Sequence, residues 1–421
     1  MKPLFVDVTE VCLLNRKSEE LTGVQRTSLE LAFELVTAGR ATVVVLNPLN
    51  GRFRTVAPWA FELAHLYATE TAKERLGELP KLRTLGKYTG LKRTLYSVEQ
   101  AILETIHGLS PNFGSAVGDP MDLSGGALLT AANFETARRV GLRAKALHPS
   151  VTVTAVLHDV IPLVGLAGEA TGFTRAFQEA YRALGQAGIR FVANSEHTRQ
   201  DALAQIEAGR LDPSARPEQA VLLAHEFRTA SSTAIPEAQA EAPYFLLVGT
   251  PAGRKNAKLV LEAYARLIER GLADRLPALL FAGRVGSDPD RLVANLGGAA
   301  TVAPFVRLVD QPRHGALEML YRNAEALLFP SLYEGFGLPV GEALWLGTPV
   351  LASNATSIPE VGGDLALYFD PKDAETLADL IEAMVSDPGR LAERRAAIAT
   401  GHDRLRSWRQ VADELADVAL A

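Results

Sequence analysis

The sequence predicts an α/β protein built from two doubly wound domains. Short apolar runs alternate with helical patterns along most of the chain, which is typical of parallel sheets covered by helices on both faces. This alternation pauses over residues 227–243, a stretch rich in Ala, Ser and Pro that has no clear period. A length of 421 residues also exceeds what one ordinary core accommodates, so two domains are expected.

The first domain is predicted over residues 1–236 and the second over residues 240–402. In the first domain the candidate strands are 4–8, 42–46, 126–130, 151–157, 190–195 and 220–224. In the second domain they are 244–249, 278–283, 301–306, 325–329, 349–353 and 365–370, and helical patterns lie between them at 256–270, 313–323 and 374–386. Residues 403–421 predict a separate amphipathic helix that carries Trp408.

Composition narrows the class of protein. A net charge of −6 argues against general nucleic-acid binding. The single cysteine, Cys12, excludes an intrachain disulfide and fits a reducing compartment. No apolar run reaches the roughly 18–20 residues that span a bilayer, and the N-terminus becomes acidic too early for a signal peptide. The expected location is cytoplasmic, and peripheral contact with the inner face of the membrane stays open.

Residues 52–108 interrupt the strand–helix alternation and predict an insertion of helices and loops. Seven basic residues lie in the stretch from Lys73 to Arg93, both ends included. Two interpretations stand: an ordinary solvated insertion, or an acceptor-side surface that touches an anionic membrane or a lipid phosphate.

The stretch "PSLYEGFGLPVGEALWLGTPVLAS" (330–353) follows an apolar strand and predicts a loop, a short helix and another strand. Pro339 suits the first turn of that helix, because its missing N–H would have no partner there. The loop crosses the carboxyl end of a parallel strand, where doubly wound sheets bind ligands. Glycines let its backbone approach a ligand, and N–H groups at the helix start offer donors to phosphate or hydroxyl oxygens. The residues concerned are Gly335, Phe336, Gly337 and Leu338.

Two glutamates flank this glycine-rich loop. An ionised carboxylate is a pure acceptor and suits a pair of adjacent hydroxyls, such as those of a ribose or a hexose. Glu334 lies in the loop, and Glu342 lies about one turn into the helix. Each would therefore face one end of an elongated ligand, and a nucleotide diphosphate sugar has the matching pattern of sugar, phosphates and ribose.

Adjacent cations follow the first strand of the second domain in "VGTPAGRKN" (248–256). A diphosphate leaving group gains negative charge as it departs, and fixed cations such as Arg254 and Lys255 would stabilise it. In the first domain, "VLHDVIP" (156–162) places His158 and Asp159 at the end of an apolar strand. At the start of that domain, Thr22 can cap a helix that Gly23 opens, leaving room for a phosphate or an acceptor.

These motifs together resemble those of retaining GT-B glycosyltransferases, specifically glycosyltransferase family 4. "EGFGLPVGE" resembles the family's E-x7-E motif, "GTPAGRKN" its G-T-x-x-x-R-K-N element and "HDVIP" its H-D-x-x-P element. "TGVQ" is similar to the N-terminal glycine loop of that family, although Thr22 stands where a second glycine is usual. "SEHTR" (195–199) resembles a segment that ends a strand of the first domain, with Ser195 and Arg199 as hinge or helix-start residues.

The resemblance implies two Rossmann-like domains that face each other across a cleft, with the last helix crossing back to the first domain. It implies that Glu334 holds the donor sugar, Glu342 the ribose, and Arg254 with Lys255 the diphosphate. His158 would contact the sugar near the reacting carbon. Gly23, Gly335, Phe336, Gly337 and Leu338 are assigned to the donor, and Gln25 and Asp159 to the acceptor.

The expected activity is transfer of a hexose to a glycan or lipid-linked acceptor in bacterial surface polysaccharide synthesis. GDP-mannose is the first choice of donor, and another GDP- or UDP-sugar is the alternative. A sugar-nucleotide epimerase and a non-catalytic GT-B scaffold also stay open. No Asp-x-Asp motif stands in a suitable place, so neither a metal nor another cofactor is expected.

The basic insertion is testable directly. We expect reversal of Lys87, Lys92 and Arg93 to Glu to weaken co-sedimentation with anionic vesicles, because each basic residue near such a surface contributes about 1 kcal/mol. A chain that does not bind vesicles before the reversal would show that the insertion serves another purpose.

Overall fold

The computed structural model of the chain contains two sheets, one in each half. It describes residues 2–12, 22–47, 51–56, 117–164, 171–228 and 243–421. The insertion beyond residue 56, with Lys87, Lys92 and Arg93, lies outside these residues, and so does most of the predicted linker.

The first sheet has eight strands in the order β4-β3-β2-β1-β5-β6-β7-β8. The strands from β2 to β8 in that order are parallel, and β3 and β4 add an antiparallel edge. The bounds are β1 Leu4–Asp7, β2 Thr42–Leu46, β3 Phe53–Val56, β4 Val117–Pro120, β5 Ala127–Thr130, β6 Thr152–Leu157, β7 Arg190–Ala193 and β8 Pro217–Ala220.

The helices of this half lie between the strands. They are α1 Thr9–Cys12, α2 Gly23–Thr37, α3 Phe134–Leu147, α4 Thr171–Gln186 and α5 Glu196–Glu207. Side chains of β1 alternate between two cores, since Leu4 and Val6 belong to one and Phe5 to the other. Both faces of the sheet are therefore covered, as the alternation of the sequence predicts.

Two details of the first half differ from expectation. The interruption at 52–108 does not begin with helix or loop: β3 extends the sheet, and the side chain of Phe53 is buried in the core. The strand expected at 220–224 ends at Ala220. Val221, Leu223 and Ala224 are nevertheless buried, because the segment after β8 packs into the core.

The second sheet is parallel throughout, in the order β11-β10-β9-β12-β13-β14. Its strands are β9 Tyr244–Val248, β10 Ala278–Gly283, β11 Val306–Asp310, β12 Ala326–Phe329, β13 Val350–Ser353 and β14 Leu367–Phe369. Its helices are α6 Ala257–Glu269, α7 Pro289–Asn295, α8 His314–Asn323, α9 Leu338–Trp345, α10 Ile358–Gly362, α11 Ala374–Ser386 and α12 Pro388–Gly401.

One predicted strand of this half is wrong. Residues Ala300–Phe305 form a short 3₁₀ helix, and the strand follows it as β11. Pro304 has no N–H to donate to a ladder, so an apolar run that contains it is a poor interior strand.

The last helix, α13 (Trp408–Leu420), packs against α2 of the first half. Arg40 pairs with Asp413 at 2.7 Å and with Asp417 at 2.5 Å. The buried indole of Trp408 donates its N–H to the carbonyl of Glu226 at 3.0 Å. The chain therefore returns to the first half at its end, and Trp408 is a packing residue there.

Candidate functional site

The carboxyl ends of β9 and β12 bring two distant segments together. After β9, residues 253–255 form a single 3₁₀ turn, and Asn256 follows with a left-handed backbone, φ 55°. The Asn256 amide donates to the carbonyls of Pro330 at 3.1 Å and Pro371 at 2.8 Å. The N–H of Leu332 donates to the carbonyl of Arg254 at 2.8 Å. The predicted cationic turn and the predicted glutamate loop thus form one unit.

Glu334 is at the centre of this unit and is only 7% exposed. Its carboxylate lies 2.7 Å from Lys255 Nζ and 2.6 Å from an Arg254 guanidinium nitrogen. Burial alone would raise the pKa of Glu334, but the adjacent charges of Lys255 and Arg254 hold that pKa below its ordinary value. Glu334 is therefore an ionised carboxylate at neutral pH. It is paired with Arg254 and Lys255, the two side chains predicted to bind the diphosphate.

The loop after Glu334 has its carbonyls fixed from within the second half. The Ser357 hydroxyl is within hydrogen-bond distance of the carbonyls of Glu334, 3.0 Å, and Phe336, 2.8 Å. Gly337 has φ 109°, a conformation that L side chains rarely adopt, and α9 begins directly after it at Leu338. Within the described part of the chain, the N–H groups of Phe336 and Gly337 have no hydrogen-bond acceptor. Their predicted role as donors to a ligand stays a prediction.

Glu342, predicted to hold a ribose, is in contact with the other half of the protein. It is 3% exposed, and its two oxygens bind Arg26 of α2 and the hydroxyl of Tyr321, the latter at 2.8 Å. Sequence analysis did not identify either partner. Arg26 stands three residues after Gly23, in the first turn of α2. Its closeness to the predicted glycine motif was the one sequence feature that could have indicated a role for it.

The start of α2 is built as expected at its cap. Thr22 accepts from the Gln25 N–H at 3.3 Å, and the Gln25 carboxamide oxygen accepts from the Thr22 N–H at 2.9 Å. Gln25, assigned to the acceptor, therefore uses its carboxamide oxygen within this capping box. A Cβ on Gly23 would lie 3.0 Å from a methyl of Leu338, so the starts of α2 and α9 meet here.

His158 and Asp159 follow β6 and lie against the glutamate loop. His158 Nε2 donates to the carbonyl of Ala131 at 2.7 Å, which leaves Nδ1 as the acceptor. Burial lowers the pKa of His158 and the Ala131 carbonyl offsets this only in part, so the imidazole is neutral at neutral pH. Asp159 accepts the N–H of Ile161 at 3.0 Å. A Cβ on Gly335 would lie 1.9 Å from the carbonyl oxygen of His158.

The described residues also bear on metal binding and membrane insertion. The described residues contain no group of three or more His, Cys, Asp or Glu side chains that could hold a metal ion. Independence from metals stays a prediction. None of the helices described is long and apolar enough to cross a bilayer.

The second half of the chain matches a known protein family. Residues 231–402 match the family described as Glycosyl transferases group 1. The second half of the chain thus carries a group 1 glycosyltransferase domain, and the glutamate loop and the cationic turn lie within the matched residues.

Relatives and a solved structure extend the comparison. An O-antigen chain mannosyltransferase B of Escherichia coli is 36% identical over 148 residues, which cover 35% of this chain and 38% of that protein. The serotype-specific mannosyltransferase WbdA of Escherichia coli is 27% identical over 271 residues, 62% of this chain and 32% of that protein. The matches thus span between about a third and two fifths of these relatives.

A sucrose-phosphate synthase from Thermosynechococcus elongatus has a similar fold. It superposes with a TM-score of 0.63 at 17% identity, over 99% of this chain and 98% of that one. The expected GT-B fold class is confirmed.

The Arg26–Glu342 contact yields a prediction about stability. Arg26→Ala leaves Glu342 buried with Tyr321 as its remaining partner, and we expect a loss of about 1–3 kcal/mol in the free energy of unfolding. Adding Glu342→Gln removes the unpaired charge and should restore part of that loss. Urea unfolding of both single variants and the double variant measures the coupling. Strictly additive losses would mean that the two charges do not stabilise each other.

Proposed function

We propose that this protein is a retaining glycosyltransferase of the family 4 type, which moves a hexose from a nucleotide diphosphate sugar to a glycan or lipid-linked acceptor. The observation that carries the proposal is the cluster of the buried Glu334 with the partly buried Arg254 and Lys255 at the carboxyl ends of β9 and β12. Doubly wound sheets bind ligands at this edge, and the cluster lies within the matched domain.

The charge of the cluster suits a diphosphate. Two cations and one carboxylate leave one net positive charge, and the two cations remain partly exposed to the cleft. An arriving diphosphate would share Arg254 and Lys255 with Glu334. As the bond to the sugar breaks, the leaving phosphate gains negative charge, and both cations stabilise it more strongly in the transition state than before.

The proposed transfer needs no nucleophile from the protein. The bond between the anomeric carbon and the phosphate oxygen breaks, and the acceptor hydroxyl oxygen bonds to that carbon from the same face. The acceptor's proton passes to the departing phosphate. Glu334 is the negative charge assigned to the sugar, where an oxocarbenium-like charge develops. His158, neutral and with a free Nδ1, is assigned to a sugar hydroxyl on the opposite wall of the cleft.

GDP-mannose is the proposed donor, and surface polysaccharide synthesis the proposed setting. Support comes from the two relatives whose names identify them as mannosyltransferases, one acting on an O-antigen chain. A panel of GDP- and UDP-sugars distinguishes the donors by thermal stabilisation, since a bound donor raises stability by mass action. Release of nucleoside diphosphate with and without an acceptor extract then separates transfer from epimerisation.

The two glutamates are expected to fail in different ways. Glu342→Ala should weaken donor and free nucleoside diphosphate alike by about 1–3 kcal/mol, because a ribose is the same in substrate and transition state. Glu334→Gln keeps the shape and removes the charge, so it should lower turnover far more than donor affinity. Calorimetry with the nucleoside diphosphate and steady-state rates measure both effects. The opposite pattern, with Glu334→Gln weak for free nucleotide and Glu342→Ala normal, would reverse the two assignments.

Activity in a chelator tests the assignment of the cations. We expect full turnover in excess EDTA, because Arg254, Lys255 and the N–H groups at the start of α9 supply the charge stabilisation. Loss of turnover in EDTA and its recovery with Mg²⁺ or Mn²⁺ would contradict this role.

A further inference from the structure

The donor loop of the second half is held by one helix of the first half. The carbonyl of Gly335 accepts hydrogen bonds from the Ser195 hydroxyl at 2.7 Å and from the Thr198 hydroxyl at 3.0 Å. All three residues are buried. Ser195 caps α5, and Thr198 lies in its first turn.

The same helix also holds the residue on the other side of Glu334. The Tyr333 hydroxyl donates to the carboxylate of Asp201, which lies one turn further along α5. The N–H groups of Glu196 and His197, at the start of α5, donate to the Glu360 carboxylate of the second half at 2.8 and 2.6 Å. Both neighbours of Glu334 are thus fixed from the opposite domain.

Fixing the Gly335 carbonyl also fixes a donor. A trans peptide is planar, so the N–H of Phe336 points opposite to the Gly335 carbonyl and hence away from α5. In the described residues that N–H has no hydrogen-bond acceptor. Because a Cβ on Gly335 would clash with the His158 carbonyl, the loop has no space to move closer to β6.

We propose that Ser195 and Thr198 are positioning residues, which set Glu334 and the Phe336 N–H for the donor sugar only when the two domains are together. This inference rests on the proposed function of the Glu334 loop. It assigns to the first domain a share in donor-side geometry besides its contacts with the acceptor. Closure of the domains would then complete the site as well as exclude water.

Two variants separate positioning from helix capping. Thr198→Val keeps the shape and the Ser195 cap, and it removes one hydroxyl from the Gly335 carbonyl. Ser195→Asp keeps a good N-cap but turns an acceptor toward that carbonyl. Thr198→Ser is the conservative variant that restores a hydroxyl. Thr400→Val is the matched control, because it removes a hydroxyl that donates to the carbonyl of Ala396 at 3.0 Å within α12.

The expected result is a split between turnover and binding. Thr198→Val and Ser195→Asp should lower kcat by at least about tenfold, since small misplacements at a reacting centre have large effects on rate. The dissociation constant of the nucleoside diphosphate should change by less than about threefold, because Arg254, Lys255 and Glu342 are untouched. Thr198→Ser and Thr400→Val should stay close to the wild type in kcat.

Hydrogen exchange at the Glu334 amide, which donates to the Thr356 hydroxyl at 3.0 Å, provides a readout that needs no turnover. It should be faster in Thr198→Val and Ser195→Asp than in the wild type and in Thr400→Val. Turnover within twofold of the wild type in both folded variants would overturn the proposal. A loss of kcat in Thr198→Val or Ser195→Asp that only reflects partial unfolding at the assay temperature, as shown by a lowered Tm, would overturn it as well. A wild type that transfers no sugar refutes the proposed function, whereas unchanged exchange at the Glu334 amide refutes the positioning role.

Discussion

Burial of carboxylates at the edge of the second sheet is the constraint around which the site is arranged. A carboxylate removed from water is tolerated only with cations and hydrogen-bond donors beside it. Glu334 and Glu342 are both nearly inaccessible, and each has its cation from a segment that is remote in sequence. Glu334 is paired with the turn after β9, and Glu342 with α2 of the first half. The positions of two loops and of two domains are thereby coupled to two charges.

Under the proposed function, Arg254 and Lys255 have two roles, one toward Glu334 and one toward the diphosphate. Arg254 and Lys255 compensate the charge of Glu334 and keep its carboxylate ionised. In the proposed reaction a diphosphate would meet cations that are already oriented, so little reorganisation would be needed when charge moves. Arg26 stands in a comparable relation to Glu342, since a ribose bound there would have to share the carboxylate with a residue of the opposite domain.

The first half contributes more than an opposing wall. Helix α5 contacts the second half through the Ser195 and Thr198 hydroxyls, through the N–H groups of its first turn, which donate to Glu360, and through Asp201. The contacts of Ser195, Thr198 and Asp201 fall on either side of Glu334, while the His158 carbonyl, just after β6, lies against Gly335. Polar contacts between domains favour a separable interface over a fixed one. A domain motion would therefore alter the donor side and the acceptor side of the cleft at the same time.

Sequence by itself determined the strand–helix alternation, the parallel second sheet, the parallel part of the first sheet and the loops that were predicted to bind the donor. Hydrophobic runs fix which residues enter a sheet, and parallel topology then places the residues after β6, β9 and β12 at cleft-facing ends. Glu334, Arg254, Lys255 and His158 were located in this way, and β2 and β10 have the bounds that were expected. The apolar run at 301–306 predicted a strand wrongly, because Pro304 has no N–H to donate to a strand ladder.

Tertiary structure alone decided the partners of these residues. Arg26 and Glu342 are 316 residues apart, and Thr198 and Gly335 are 137 apart, so no spacing in the sequence relates them. A threonine in the first turn of a helix and an arginine near a helix start are ordinary residues in isolation. They acquire a role because the packing of two domains removes water between them and a distant loop, where every buried donor and acceptor must then find its partner.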